Sequence, residues 1–115
     1  MTTYSAPAPA IISLDTNIQE VMANGTTFGS ATAIPYVGGW SVVSVTATDD
    51  PRNQAVVLPS GAQIGDVVEI YFSGYTGKIF APSGEMIGVS ASVEQGPGGG
   101  KPYRKLTSAV WQPLA

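Results

Sequence analysis

Residues 54–72 have the sequence QAVVLPSGAQIGDVVEIYF, and this stretch decides the predicted fold. It contains two apolar runs, Ala55–Leu58 and Val67–Phe72, both rich in the β-branched and aromatic residues that fit a pleated sheet. Pro59-Ser60-Gly61 interrupts the first run, and Gly65-Asp66 precedes the second. Because proline lacks a backbone N–H and glycine accepts positive φ, both breaks indicate turns. The stretch therefore predicts two strands joined by a short connection.

Short apolar segments separated by turn residues continue along the rest of the chain. Trp40–Thr48 predicts the longest strand of the first half, with Trp40, Val42 and Ser44 on one face. Ile18–Met22 also fits a short strand, with a helical turn capped by Asp15 as the alternative. Ala62–Ile64 leaves a similar alternative open, a helical turn inside the central stretch. No repeat of useful length is evident in the sequence, and no segment has sustained helical periodicity.

This pattern predicts an all-β fold, a small β-sandwich or barrel of short antiparallel strands. A chain of 115 residues corresponds to one domain. We assign residues 15–115 to that single β domain and residues 1–14 to an extended N-terminal arm, because Ala6-Pro7-Ala8-Pro9 favours extended backbone. A disordered tail is the alternative for residues 1–9.

The composition indicates a protein that covers part of its surface with another molecule. Only 11% of the residues are charged, against a typical share of about 25%. Hydrophobic residues make up 43% of the chain. A small body with few charges is expected to bury surface against other copies or a partner, although a neutral Gly-, Ser- and Thr-rich surface is the alternative. The net charge of −3 disfavours nucleic acid as a partner, and no apolar run has the length of a membrane helix.

The residues needed for common catalytic chemistry are missing or badly spaced. The chain has no histidine and no cysteine, which removes the usual general base, zinc ligand and thiol nucleophile. Asp66 and Glu69 lie three residues apart, so on a strand they point to opposite faces. The glycine-rich segment Gly96–Lys101 is followed by Pro102 rather than Ser or Thr, unlike a phosphate-binding loop. We therefore expect no enzymatic activity, no cofactor and no metal.

The second half of the chain resembles a module of virion structural proteins from tailed bacteriophages. Val57-Leu58-Pro59-Ser60-Gly61 followed by Ile64–Ile70 carries the first part of the resemblance. Pro82–Ile87, the glycine-rich turn Gly96–Lys101 and the closing Trp111-Gln112-Pro113-Leu114 follow in the same order as in that module. The resemblance covers about residues 54–115. It implies a structural role in a virion and no catalytic residues.

These observations predict a non-enzymatic capsid decoration, or cement, protein that docks on the outer surface of the capsid as a homotrimer. Its expected partner is the major capsid protein, and its expected location is the capsid exterior after synthesis in the bacterial cytoplasm. Two alternatives stay open: a head-fibre or tail-fibre module that binds a host glycan, and a small carbohydrate-binding or adhesion domain. Candidate capsid or subunit contacts are Tyr4, Ile11, Ile12, Tyr103, Arg104 and Trp111.

Overall fold

The computed structural model of the protein describes residues 18–46, 52 and 54–114. Within these residues the chain forms ten strands and no helix, so the predicted all-β class is confirmed. The strands are β1 (Ile18–Met22), β2 (Thr32–Ala33), β3 (Trp40–Thr46), β4 (Ala55–Val57), β5 (Val67–Phe72), β6 (Gly77–Phe80), β7 (Met86–Ile87), β8 (Ser92–Gln95), β9 (Lys101–Lys105) and β10 (Val110–Pro113).

The strands form two sheets, and the chain alternates between them. Sheet A has the order β1-β3-β5-β9-β10-β7, and sheet B has the order β2-β4-β6-β8. β1, β3 and β5 run parallel to one another, as do β2, β4 and β6. The first six strands therefore wind through about three coils of a β-solenoid-like arrangement, which differs from the predicted antiparallel sandwich or barrel.

The central stretch illustrates the difference. β4 lies in sheet B and β5 lies in sheet A, so the two strands do not pair as a hairpin. The segment between them is a corner of the solenoid, and it contains turns rather than a helix. β5 pairs instead with β3, with Trp40 opposite Val67 and Val45 opposite Phe72.

A repeat that is faint in the sequence marks this corner in each coil. Ile34-Pro35, Leu58-Pro59 and Ala81-Pro82 each follow a strand of sheet B, at spacings of 24 and 23 residues. The corners stack, since Ile34 N donates to Val57 O at 2.9 Å and Leu58 N donates to Phe80 O at 2.9 Å. Only an apolar residue and a proline recur, which is why the sequence alone revealed no repeat.

Apolar side chains from both sheets fill the space inside the coils. Parallel register stacks equivalent positions of successive coils, so Val21, Val45 and Phe72 form one row across sheet A. Each is buried, and burying a side chain of this size contributes about 1.5–3 kcal/mol. The other members of this core are Ala23, Ile34, Val43, Val56, Leu58, Val68, Ile70, Ile79, Ala81, Ile87, Tyr103 and Trp111.

The two ends of the solenoid differ. At the C-terminal end, β9 pairs antiparallel with β5, and β8 pairs antiparallel with β6. These strands cover the last coil on both sheets. At the other end β1 and β2 are the outermost strands of their sheets within the described part of the chain. Antiparallel strands therefore follow the last coil, and within the described residues both ends have edge strands, β1 and β2 at the first coil and β7 and β8 at the other end.

Two strands match the sequence prediction closely. β1 is a strand rather than a helical turn, and Ile18, Glu20 and Met22 lie on its exposed face while Val21 is buried. β3 covers most of the strand predicted at Trp40–Thr48, with alternate residues buried. The buried residues alternate with exposed or half-buried ones along both strands, as expected for strands with one face toward the core.

We predict that Gly77→Ala destabilises the protein by about 1–3 kcal/mol, because an added Cβ would overlap the ring of Phe72 in the core. Gly77 has no positive φ, so the effect isolates packing from backbone conformation. Urea unfolding would measure the change.

Gly96→Ala is the matched control, since no atom lies within 4 Å of a Cβ placed there. Its expected effect is within about 0.5 kcal/mol. Equal stabilities for the two variants would contradict the packing of Phe72 against Gly77.

Candidate functional site: an aromatic and carboxylate face on sheet A

The outer face of sheet A presents two large aromatic side chains. Trp40 at the start of β3 is 45% exposed, and Tyr71 near the end of β5 is 38% exposed. Both point outward because successive strand residues alternate between faces, and their neighbours Ser41 and Ile70 are buried. Such rings offer a flat apolar surface with a polar group at the edge.

Glu69 connects the two rings. Trp40 Nε1 donates a hydrogen bond to Glu69 Oε1 at 3.0 Å, and Tyr71 OH donates to Glu69 Oε2 at 2.6 Å. The parallel register places Glu69 opposite Val42, which lies two residues after Trp40 on the same face of β3. The Glu69 carboxylate is therefore within reach of both rings. The bond to Glu69 and its negative charge raise the pKa of Tyr71. The carboxylate thus holds both aromatic side chains in fixed orientations on the sheet surface.

The glycine-rich loop supports Tyr71. A Cβ at Gly100 would overlap the Tyr71 ring, so the ring packs directly on the loop backbone. Gly98 has a φ of 98°, a conformation that glycine adopts without strain. The backbone of the loop therefore lies directly against an exposed aromatic ring.

Asp66 organises the corner next to these rings. Its Oδ1 accepts from Gly39 N at 2.9 Å, and its Oδ2 accepts from Gln63 N and Tyr36 OH, each at 2.9 Å. Burial alone would raise the pKa of Asp66, but the bonds from Gln63, Gly39 and Tyr36 outweigh it and lower that pKa. The hydrogen bond that Tyr36 OH donates to Asp66 raises the pKa of Tyr36. Asp66 therefore ties the corner before β5 to the corner before β3.

We name the surface made by Tyr36, Trp40, Asp66, Glu69 and Tyr71 the aromatic face. Its carboxylates are occupied by ring and backbone donors, and this arrangement suits binding better than proton transfer. Each oxygen of Glu69 accepts one ring donor and has a second lone pair that could accept from a ligand hydroxyl, whereas Asp66 Oδ2 already accepts two hydrogen bonds. Within the described residues, no group of three or more Asp and Glu side chains is placed to hold a metal ion.

Two predicted contact residues lie in the core instead of on a surface. Tyr103 is 1% exposed and Trp111 is 0% exposed. Tyr103 OH donates to Gln95 Oε1 at 2.9 Å, and Gln95 Nε2 donates to Ile70 O at 2.6 Å. Burial raises the pKa of Tyr103 to about 12. These aromatic side chains hold the closing strands against the last coil.

Lys105 on β9 is also internal, with 3% of its surface exposed. Its Nζ pairs with Glu85 Oε1 at 2.5 Å, and Trp111 Nε1 donates to the same oxygen at 2.9 Å. The ammonium also lies 5.3 Å from the centre of the Trp111 ring. A buried charge needs such a partner, since leaving it unpaired costs several kcal/mol.

Arg104 is exposed on β9, opposite Val67 of β5 and Gln112 of β10, so its place as a contact residue stays a prediction. Tyr4, Ile11 and Ile12 lie outside the described residues. Sequence reasoning missed the aromatic face. The sequence placed Trp40, Val42 and Ser44 on one face of the predicted strand. The proximity of Trp40 to Glu69 depends on a parallel pairing of β3 with β5, which the sequence did not indicate.

Comparison of the chain with protein-family models, with curated proteins and with solved structures finds no match. The part of the chain that the structure describes has no helix long and apolar enough to span a membrane. The fold and the aromatic face therefore define the class of protein. It is an all-β, solenoid-like body that presents aromatic side chains bonded to carboxylates on the outer face of one sheet.

We predict that Asp66 stabilises the protein in a pH-dependent way. The pKa of Asp66 in the folded state lies below its ordinary value of 3.8. The contribution of Asp66 to the free energy of unfolding is therefore complete above pH 3.8 and is lost as the pH falls through the folded-state pKa. Urea unfolding of the wild type and Asp66→Asn from neutral pH to about pH 2 would test this. The wild-type advantage should shrink on acidification, and a constant difference across the range would contradict it.

Proposed function

We propose that this protein is a non-enzymatic structural protein of a phage virion, a decoration or cement protein that docks on the outer capsid surface and stabilises it. The resemblance of residues 54–115 to virion modules, the low charge and the all-β body support the proposal. The observation that carries it is the edge strand β1, which has 5 residues and is the longest of the four edge strands in the described part of the chain. An edge strand of this kind is suited to docking by strand pairing.

The edge of β1 that faces away from β3 has no partner strand within the described residues, and its backbone groups can pair with another chain. Ala23 N donates to Thr46 O at 2.6 Å, so the N–H of Ala23 points toward β3. Because these directions alternate along a strand, the N–H and C=O of Glu20 and Met22 point the other way. Thr32 Oγ1 donates to Met22 O at 2.7 Å, in agreement with this direction. Glu20 is therefore the central residue of the outward-facing edge.

Pairing at this edge would extend sheet A by one strand contributed by the major capsid protein. Main-chain hydrogen bonds would supply affinity, and side chains of the exposed face of β1 would supply specificity. A trimer would present three such edges, and repetition over a shell would convert individually weak contacts into stable attachment. The N-terminal arm, which precedes β1 directly, is expected to contribute to the same contact.

We predict that Glu20→Pro weakens capsid binding tenfold or more while the body stays folded. Proline removes the N–H of Glu20, which points away from β3, so the pairing of β1 with β3 is retained. Losing one or two intermolecular bonds of about 0.5–1.5 kcal/mol each corresponds to about a tenfold loss. Co-sedimentation with capsids assembled from the major capsid protein of the encoding phage would measure it.

Glu20→Thr is the matched control, because it removes the same carboxylate and keeps the backbone N–H. It should bind like the wild type, and urea unfolding should show that both variants are folded. Wild-type binding by Glu20→Pro would rule out docking through the β1 edge.

A second function, binding of a host surface glycan by a fibre module, is favoured by the aromatic face. Sugars present apolar C–H surfaces that stack on aromatic rings and hydroxyls that bond to carboxylates. Trp40 and Tyr71 supply exposed rings at fixed orientation, and Glu69 supplies acceptor oxygens between them. Recognition would then occur on sheet A and not at the strand edges.

For this second function, we predict that Trp40→Ala abolishes binding on a glycan array, because it removes the larger ring. Phe28→Ala is the control, since Phe28 is similarly exposed but packs edge-to-face on Phe80 of sheet B. Equal loss in both variants, or no binding by the wild type, would exclude the aromatic face as a glycan site.

A further inference from the structure

The outer face of β1 combines one acidic side chain with two apolar ones. Ile18 and Met22 are each 59% exposed, and Glu20 lies exposed between them. All three point away from the core, because residues two apart on a strand share a face. A strand that paired with the edge of β1 would place its own side chains beside these three. The chemistry of this face therefore decides which strands can pair there.

The charge of Glu20 is not balanced by a neighbouring base. Its cross-strand partner on β3 is the neutral Ser44. Within the described residues, the ion pair that forms joins Lys105 to Glu85 and does not involve β1. The Glu20 carboxylate therefore interacts with whatever side chain an added strand places opposite it, and its charge is screened only by solvent and salt.

A second copy of the chain offers the same edge as a pairing partner. In an antiparallel pair of two β1 edges centred on Glu20, all 5 residues of each strand overlap. Ile18 of one copy then lies opposite Met22 of the other, which is a favourable apolar contact. The two Glu20 residues lie directly opposite each other, with Cα atoms about 5.5 Å apart as in other hydrogen-bonded pairs. Like charges in this position oppose the pairing.

We propose that Glu20 makes the β1 edge selective for a strand of another protein. Glu20 prevents β1 from pairing with a second copy. Ile18 and Met22 favour a foreign strand that has apolar residues opposite them and no acidic residue opposite Glu20. An exposed edge strand without such a charge tends to pair with its own copies, and the docking edge would then be occupied. This inference rests on the proposed role of β1 in docking and names the kind of strand that docks there.

A charge reversal tests the selectivity in the absence of capsids. Glu20→Lys places like charges opposite each other in a pair of its own copies, and opposite charges in a pair with the wild type. Analytical ultracentrifugation of each protein alone and of their equimolar mixture at low salt would measure association, with the wild-type oligomer as the reference. The mixture should associate about tenfold more tightly than either protein alone. The difference should shrink at about 1 M salt.

Glu94→Lys on β8 is the matched control, since it makes the same change of charge at an exposed position of sheet B. A mixture of this variant with the wild type should associate no more tightly than the wild type alone. If the Glu20→Lys mixture associates no more tightly than the separate proteins, the selectivity is overturned. An equal gain in the Glu94→Lys mixture would overturn it as well, because the effect would then not depend on the β1 edge.

The apolar part of the proposal is tested at Met22. Met22→Thr keeps a residue that suits a strand and removes the apolar side chain, so capsid co-sedimentation should weaken about threefold to tenfold. Tyr75→Thr is the control, since Tyr75 is 49% exposed and lies outside β1. Wild-type binding by Met22→Thr would overturn the apolar contact. Failure of the wild type itself to bind capsids would contradict the docking function, whereas the charge reversal tests the selectivity of the edge independently of capsids.

Discussion

Parallel, in-register stacking of successive coils is the constraint on which the rest of the structure depends. In sheet A, β1, β3 and β5 pair in parallel with the strand one coil away, and the corners that follow β2, β4 and β6 stack on one another. Register places like side chains in rows, which gives the apolar core its form and sets Trp40, Glu69 and Tyr71 near one another on the outside. The core and the aromatic face are thus two consequences of one pairing.

Local features of the fold were accessible from the sequence, and long-range ones were not. The alternation in Trp40–Thr46 and Ile18–Met22 predicted these strands because it depends on neighbouring residues alone. Pairing partners one coil away are invisible to that signal, so adjacent strands β4 and β5 were expected to form a hairpin. Tyr103 and Trp111 looked like contact residues for a similar reason, since their core position depends on closing strands that fold back on β5.

The different ends and sides of the solenoid divide its surface by chemistry. The C-terminal strands use buried polar groups, with Lys105, Glu85 and Trp111 satisfying one another. Within the described residues, the β1 edge presents backbone groups without a partner strand, and the outer face of sheet A presents aromatic rings. The β1 edge suits a strand as its partner, and the aromatic face suits a sugar ring.

Immunogold labelling of phage particles tests most directly whether the protein acts on the outside of a capsid, as proposed. An antibody to this protein should label particles of the encoding phage evenly over the head. Label confined to tails or fibre tips would transfer the function to host recognition through the aromatic face. Absence of label from every particle would contradict a role in the virion.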